Sequence, residues 1–278
     1  MKPQMSYRIG RHVTGAAQVL TGLRQTALEG GTAAQVFAGN PMGYASGLLP
    51  EHKIREIRDM TRHIYTVVHG SYFLLLTQPE DTERARLAVD GTVQQLWWAE
   101  RIGAKSVVVH PGSTTNPNWG VAAHWYLERV LEQYRGPVTL LLETMAGRTS
   151  LGNDVDQLKL IASVYDSARV GICLDTTHSW AAGYSIPDLC TFPERLGAYL
   201  QLVHFNVPNA GITQGCHQDR HNVDFGNSEW SPIEIARLSH ALKHLPCILE
   251  GTPNPRTDYE FMRGNAVIYH SKAQEAGA

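Results

Sequence analysis

Along the chain, short runs of apolar and β-branched residues alternate with longer stretches in which apolar residues recur at helical spacing. The runs fall near residues 8–13 (RIGRHV), 33–38 (AAQVFA), 64–69 (IYTVVH), 106–110 (SVVVH), 138–143 (VTLLLE), 170–175 (VGICLD), 200–206 (LQLVHFN) and 246–250 (PCILE). Their continuous apolar character is that of parallel strands buried on both faces. Glu80 to Ile102 is the clearest helical stretch: Leu87, Val93, Leu96, Trp97 and Ile102 cluster on one side, while Glu83, Arg84 and Arg86 stay wet. Asp81 stands where an N-cap would serve its first turn. Arg55 to His63, Val121 to Tyr134, Asp154 to Tyr165 and Ile233 to His244 behave similarly. Eight strands alternating with helices, without a long linker, repeat or low-complexity segment, predict an α/β fold, one (β/α)8 TIM barrel over residues 1–278. Pieces rich in Gly, Pro and Asn (39–49, 111–120 and 208–215) follow strands, where active-site loops lie.

Composition changes this picture little: 43% hydrophobic and 18% charged residues suit a large buried core and not a disordered chain. Met1 to Gly15 lack the apolar core of a signal peptide, and runs such as Leu140-Leu141-Leu142 are too short to span a bilayer. The expectation is a soluble protein without membrane contact. Four cysteines, at 173, 190, 216 and 247, form no C-x-x-C pair, which predicts reduced thiols in an intracellular protein. Cys173 and Cys247 lie inside apolar runs and read as core residues. A net charge of −2 weighs, by itself, against nucleic-acid binding, which usually calls for a basic face. The 13 histidines are the oddity, a pool of metal ligands or proton carriers.

Metal-competent residues end most of the apolar runs. His69 ends YTVVH, His110 ends SVVVH and Glu143 ends VTLLLE; Asp175 ends VGICLD, with His178 three residues on; His204 lies late in LQLVH and Glu250 ends CILE. C-terminal strand ends share one rim of an α/β barrel, so these side chains converge. Asp219 and His221, after the seventh strand, bring the set to nine: five imidazoles and four carboxylates. Any one of them is more often a hydrogen-bonded structural residue than a ligand. The repetition strand after strand argues otherwise, because buried carboxylates are costly without compensation. Imidazole with carboxylate favours zinc or manganese, and the abundance of His tilts the choice to zinc. Divalent ions would leave a positive bowl in a mildly acidic protein, and local field rather than net charge draws a phosphate.

The pieces HGSY (69–72), VVHPGS (108–113), LLETMAGRTSLG (141–152), ICLDTTHSWAAGY (172–184), HFN (204–206), DRH (219–221) and LEGTPN (249–254), with the opening RIGRHVTGAA, run in one order over most of the chain. Together they resemble the endonuclease IV family of apurinic/apyrimidinic endonucleases. The resemblance implies a trinuclear zinc centre. One ion takes His69, His110 and Glu143; a second shares Glu143 and adds Asp175, His204 and Glu250; the third takes His178, Asp219 and His221. It further implies hydrolysis 5′ to an abasic site in damaged duplex DNA, leaving a 3′-hydroxyl and a 5′-deoxyribose phosphate. Glu143 is then the catalytic carboxylate, and the chain a monomeric repair enzyme, cytoplasmic and nucleoid-associated if bacterial or phage-encoded. Tyr72, with Phe73 beside it, matches a position where the family wedges side chains into bent DNA; the plainer reading of both is packing at the rim.

The chain departs from that family at three places. Met42 in FAGNPMGY (37–44) stands roughly where many members place an arginine wedge, Gly70 replaces an acidic residue, and VDFGNSEW (223–230) replaces a Gly-Glu-Gly turn. Cys216-His217 reads as loop structure, and His12, His52, His63, His124, His240, His244 and His270 as surface or core histidines. The chief rival is a single-metal sugar isomerase or epimerase on the same barrel, which Glu143, Asp175, His204 and Glu250 alone would satisfy. It leaves His69, His110, His178, Asp219 and His221 without shared purpose. A non-catalytic DNA- or metal-binding derivative is the second rival, and loss of a ligand, which does not occur, would favour it.

Overall fold

All eight apolar runs are strands: β1 (Ile9–Val13), β2 (Ala33–Phe37), β3 (Tyr65–His69), β4 (Ser106–Val109), β5 (Thr139–Glu143), β6 (Val170–Asp175), β7 (Leu200–His204) and β8 (Cys247–Leu249). A computed structural model describes residues 7–13 and 18–264, so residues 14–17 of the opening motif and His270 lie outside the described residues. Every neighbouring pair is parallel, and β8 closes back on β1, giving a closed eight-stranded barrel. β8 stops a residue short of the expected Glu250 because the Glu250 N–H donates to the Asn206 side chain, 2.9 Å away, instead of continuing a ladder.

Helices α1 (Val19–Leu28), α2 (Glu51–Thr61), α3 (Glu83–Ile102), α4 (Trp119–Gln133), α5 (Val155–Ala162), α6 (Thr176–Ala182), α7 (Ile186–Leu196) and α8 (Pro232–Leu242) connect the strands. Two details of α3 differ from expectation. Its N-cap is Thr82, whose hydroxyl accepts from the Ala85 N–H at 3.2 Å, whereas Asp81 sits at φ +56° and pairs with Arg86. Its buried stripe runs through Ala85, Ala88, Val89, Thr92, Leu96 and Ala99, while Leu87 and Trp97 are 40% and 48% exposed. Small residues let the helix lie close on the barrel, with Leu96, Trp98 and Ile102 buried beside them; the half-exposed Trp97 packs edge-on against Tyr134. Periodicity delineates neither α6 nor α7, since α6 is buried almost all round and α7 carries Pro193 inside it. A capping box of Ser185 and Asp188, together with Pro187 in the first turn, starts α7.

Side chains alternate between the barrel interior and the helix layer. Ala33, Val67, Val108, Leu141, Cys173, Leu202 and Ile248 form an apolar cluster of their own inside the barrel. The residues between them, such as Val68, Leu142 and Val203, belong to the larger core under the helices. On β1 the same interior level is held by Gly10, paired with Ala33; a Cβ there would come within 1.5 Å of the Ala33 carbonyl oxygen. This apolar plug is the floor of the site. Cys173 and Cys247 are buried as expected, and the four cysteines are free thiols. Among the described residues no helix is long and apolar enough to cross a membrane.

Candidate metal centre

Two residues beyond each plug position, period-two alternation returns the chain to the interior. Those positions are His12, Gln35, His69, His110, Glu143, Asp175, His204 and Glu250, one from each strand or its end. His178 joins them from the first turn of α6, and Asp219 and His221 from the loop after β7. They surround a bowl of about 560 Å³ lined by His12, His69, Tyr72, His110, Glu143, His178, Asp219, His221 and Glu250 among others. That is within the usual range for a small-molecule or nucleotide-sized group, roughly 300–1,000 Å³.

Ligand-capable atoms fall into three groups, each within 4.8 Å of one another: His69, His110 and Glu143; Glu143, Asp175, His204 and Glu250; and Asp175, His178 and His221. The first two are the sets expected from sequence. In the third, Asp175 takes the place expected for Asp219. Asp219 is nonetheless adjacent, its carboxylate 3.2 Å from His178 Nε2 and 2.6 Å from His221 Nδ1, on a loop that leaves its side chain 54% exposed.

Glu143 is the hub. Its oxygens lie 3.1 Å from His204 Nδ1, 3.3 Å from His110 Nε2, 3.4 Å from His178 Nδ1 and 3.7 Å from His69 Nε2. Burial alone would raise its pKa, but His204 and His110 overcome that and hold the carboxyl well below the usual range. Burial pulls His69 down to about 4, so it is a neutral imidazole with a free lone pair. His178 goes the other way: against the lowering by burial, Asp175, Asp219 and Glu143 push it well above its ordinary value. His204 is likewise raised against burial, by Cys173, Glu250 and Glu143.

The donor set fits metal ions better than it fits itself. Glu143 Oε2, His178 Nε2 and His221 Nδ1 are buried and make no aligned hydrogen bond, facing His110 at 3.3 Å and the Asp219 carboxylate at 3.2 and 2.6 Å respectively. Ligand-capable atoms without aligned hydrogen bonds, converging on one space beside carboxylates, form a shape that cations fill. Outer bonds set the imidazoles for it: His69 Nδ1 donates to the Gly70 carbonyl at 2.7 Å and His178 Nδ1 to the Thr144 carbonyl at 2.9 Å, turning each Nε2 inward. Asp175 Oδ1 caps α6 by accepting from the His178 N–H, and Asn206 holds Asp175 Oδ2 at 2.6 Å and Glu250 Oε2 at 3.2 Å.

The three expected DNA-facing residues separate. Tyr72 walls the bowl, its ring 5.1 Å from His110 and 5.4 Å from His69. Phe73 packs against Tyr44 outside it, and Met42 is 56% exposed on the neighbouring loop. The Pro41 carbonyl ties the two loops together by accepting from the Tyr72 N–H and the Ser71 hydroxyl, both at 2.9 Å. Gly70 has a local reason: a Cβ there would lie 2.8 Å from the Val108 carbonyl oxygen. The departing loop is packed as a 3-10 turn (Phe225–Asn227) capped by Asp224, with Trp230 buried against Trp180. His217 is loop structure, its Nδ1 3.0 Å from the Ala146 carbonyl.

Sequence reading missed Gln35, Asn206 and, most clearly, His12, which it took for an ordinary histidine. The His12 Nδ1 lies 3.6 Å from Glu250, and its ring packs on Phe37 and His69. Each sits two or four residues beyond an interior position, a spacing that becomes a signal only once barrel closure fixes which face of each strand is interior.

Barrel, plug and polar rim define an enzyme of the xylose isomerase-like TIM barrels, and that family's sequence profile matches residues 23–260. Within it, the chain belongs to the endonuclease IV family. It is 30% identical to "Probable endonuclease 4" of Halothermothrix orenii over 87% of this chain and 92% of that one. It is 28% identical to "Apurinic-apyrimidinic endonuclease 1" of Saccharomyces cerevisiae, over 88% and 71%. The crystal structure of endonuclease IV from Thermus thermophilus superimposes with a TM-score of 0.77 at 25% identity, covering 93% and 98%. A D-tagatose 3-epimerase-like protein also superimposes, with a TM-score of 0.71 at 17% identity over 98% and 100%, which is a likeness of fold alone.

Proposed function

We propose that the chain hydrolyses the phosphodiester 5′ to abasic sites in duplex DNA, leaving a 3′-hydroxyl and a 5′-deoxyribose phosphate, with three metal ions, mostly zinc. The observation that carries this reading is the three overlapping ligand groups around Glu143. A single-metal epimerase needs only Glu143, Asp175, His204 and Glu250; it has no use for His69, His110, His178, Asp219 and His221 in the same bowl. The family and the names of the relatives support the DNA substrate.

In this reading His69, His110 and Glu143 hold one ion, Glu143, Asp175, His204 and Glu250 a second, and His178, Asp219 and His221 a third, with Asp175 alongside. When bound, such ions bring water toward a nucleophile's pKa near neutrality and offset charge on the attacking and leaving oxygens. Glu143 keeps two ligand groups in register from one buried side chain. Asp219 and His221, on their loop, complete the rim where the phosphate enters. Tyr72 closes one wall, keeping the reacting phosphate against the ligands.

Fully loaded protein should hold close to three ions per chain by elemental analysis and nick a duplex carrying one abasic site. One ion per chain, with no nicking, would favour the sugar epimerase instead.

The rim gives a second test. In this reading Tyr72 on the bowl wall and Met42 on the neighbouring loop are uncharged wedge residues, able to unstack a base step without neutralising a phosphate. Tyr72→Ala should slow cleavage of duplex abasic DNA far more than of a flexible single strand, with ion content unchanged. Met42→Arg should tighten duplex binding and steepen its salt dependence. Cleavage of both substrates across a salt series decides it; equal slowing by Tyr72→Ala would make the residue a packing element only.

A further inference from the structure

We infer that Gln35 is a positioning residue for the central ligand group: its side-chain amide selects Nδ1 of His204 as the nitrogen that faces the metal and holds Glu250 beside it. The inference rests on the metal reading above and deepens it.

Gln35 lies in the middle of β2, among apolar neighbours, and is fully buried. It occupies the interior level of the barrel two residues beyond Ala33, the level that supplies six of the nine candidate ligands on the other strands. Only β1 and β2 place something else there, His12 and Gln35, which pair across the ladder. Gln35 Nε2 is 2.5 Å from Glu250 Oε1 and 2.8 Å from His12 Nδ1, and Gln35 Oε1 is 2.8 Å from His204 Nε2.

These partners determine which way the amide points. An ionised carboxylate only accepts, so the NH2 end must face Glu250 and the oxygen must face His204. An oxygen there requires a proton on His204 Nε2. Nδ1 is left toward Glu143 Oε1 at 3.1 Å and Glu250 Oε2 at 3.3 Å, in the central group. The reversed tautomer would set two acceptors, the amide oxygen and a bare Nε2, against each other in a dry interior. The second amide hydrogen goes to His12 Nδ1, so both donors are used. One uncharged side chain thus arranges two ligands of one ion, the role a carboxylate or backbone carbonyl plays behind many metal-bound histidines. A packing role alone would need none of these three contacts.

The test counts ions and measures affinity by competition with a chromophoric zinc chelator. In Gln35→Met, near in volume but without polar atoms, one of three ions should bind about 10–100-fold more weakly, as loss of such outer partners typically does, while the other two are unchanged. Gln35→Glu, which keeps an oxygen for His204 but loses the amide donors to Glu250, should weaken the same ion; it carries the test if Gln35→Met does not fold. Nitrogen-15 NMR of the zinc-loaded natural protein should find the His204 proton on Nε2. A proton on Nδ1, or three ions of unaltered affinity in the folded variants, overturns the inference while leaving the trinuclear reading intact. Failure of the natural protein to take up three ions overturns that reading and this inference with it.

Discussion

Glu143→Gln is expected to lose at least ~100-fold in cleavage rate, the low end of what a single acid–base group supplies, while its circular dichroism stays native. Glutamine preserves the volume of a side chain buried on β5, so the apolar plug beneath it keeps its packing. It removes the charge on which four imidazoles converge within 3.7 Å. A neutral amide has one acceptor oxygen and cannot join two cation groups, so ion content should fall along with turnover. Oε2, which makes no aligned hydrogen bond and lies between His110 and His69, is the atom most affected. Steady-state cleavage of an abasic duplex, with elemental analysis of the same sample, checks both halves. Near-normal turnover by a folded variant would remove Glu143 from the centre of the mechanism.

Metal removal has the second large effect, and its pH dependence has a definite sign. Chelation should abolish cleavage and lower the melting temperature; a ligand at 1,000 times its Kd stabilises by about 4 kcal/mol per site. Without metal, His178 and His221 have folded pKa values raised by surrounding carboxylates, and His204 by Cys173, Glu250 and Glu143, against the lowering by burial. Stability from a raised pKa is fully present below the unfolded value, about 6.5, and is lost as pH rises through the folded one. His69, down to about 4, is neutral in the folded state, but its unfolded imidazole titrates near 6.5, so it contributes no slope only above about pH 7.5. Glu143 and Glu250, held low, are ionised throughout. The metal-free protein should therefore melt at progressively lower temperature from about pH 7.5 to 9. Zinc needs these imidazoles deprotonated, so its affinity rises over the same range. The gap between loaded and stripped melting temperatures should widen with pH, and zinc uptake in weak buffer should release protons. A gap that narrows with pH would contradict this assignment of protonation states.

Strand positions were legible from the amino-acid order because parallel strands buried on both faces need uninterrupted apolar runs, and few other elements do. His69, His110, Glu143, Asp175, His204 and Glu250 were legible for the same reason, since each breaks or ends such a run. Asp81 and Leu87 show where local pattern misleads. The Thr82 hydroxyl reaches the Ala85 N–H and takes the cap, and the face of α3 that packs on the barrel carries Ala85, Ala88, Val89, Leu96 and Trp98 and leaves Leu87 and Trp97 half-exposed.

His12 and Gln35 are the sharper case. Nothing within RIGRHV or AAQVFA distinguishes an inward polar residue from a tolerated outward one. Which face of a strand is interior depends on how the sheet closes, and closure joins β1 to β8 across 238 residues, from Ile9 to Cys247. Only then do His12, Gln35 and Glu250 become neighbours, within 3.6 Å of one another. The third ligand group has the same origin: Asp175 comes to lie with His178 and His221 because α6 starts immediately at the end of β6 and the 219–221 loop folds back over it. Chemical identity and spacing along the chain therefore state which residues are fit to bind metal. Barrel closure decides which of them stand together in one candidate group and which other polar residues contact them, because those relations are distances between strands and are written in no single segment.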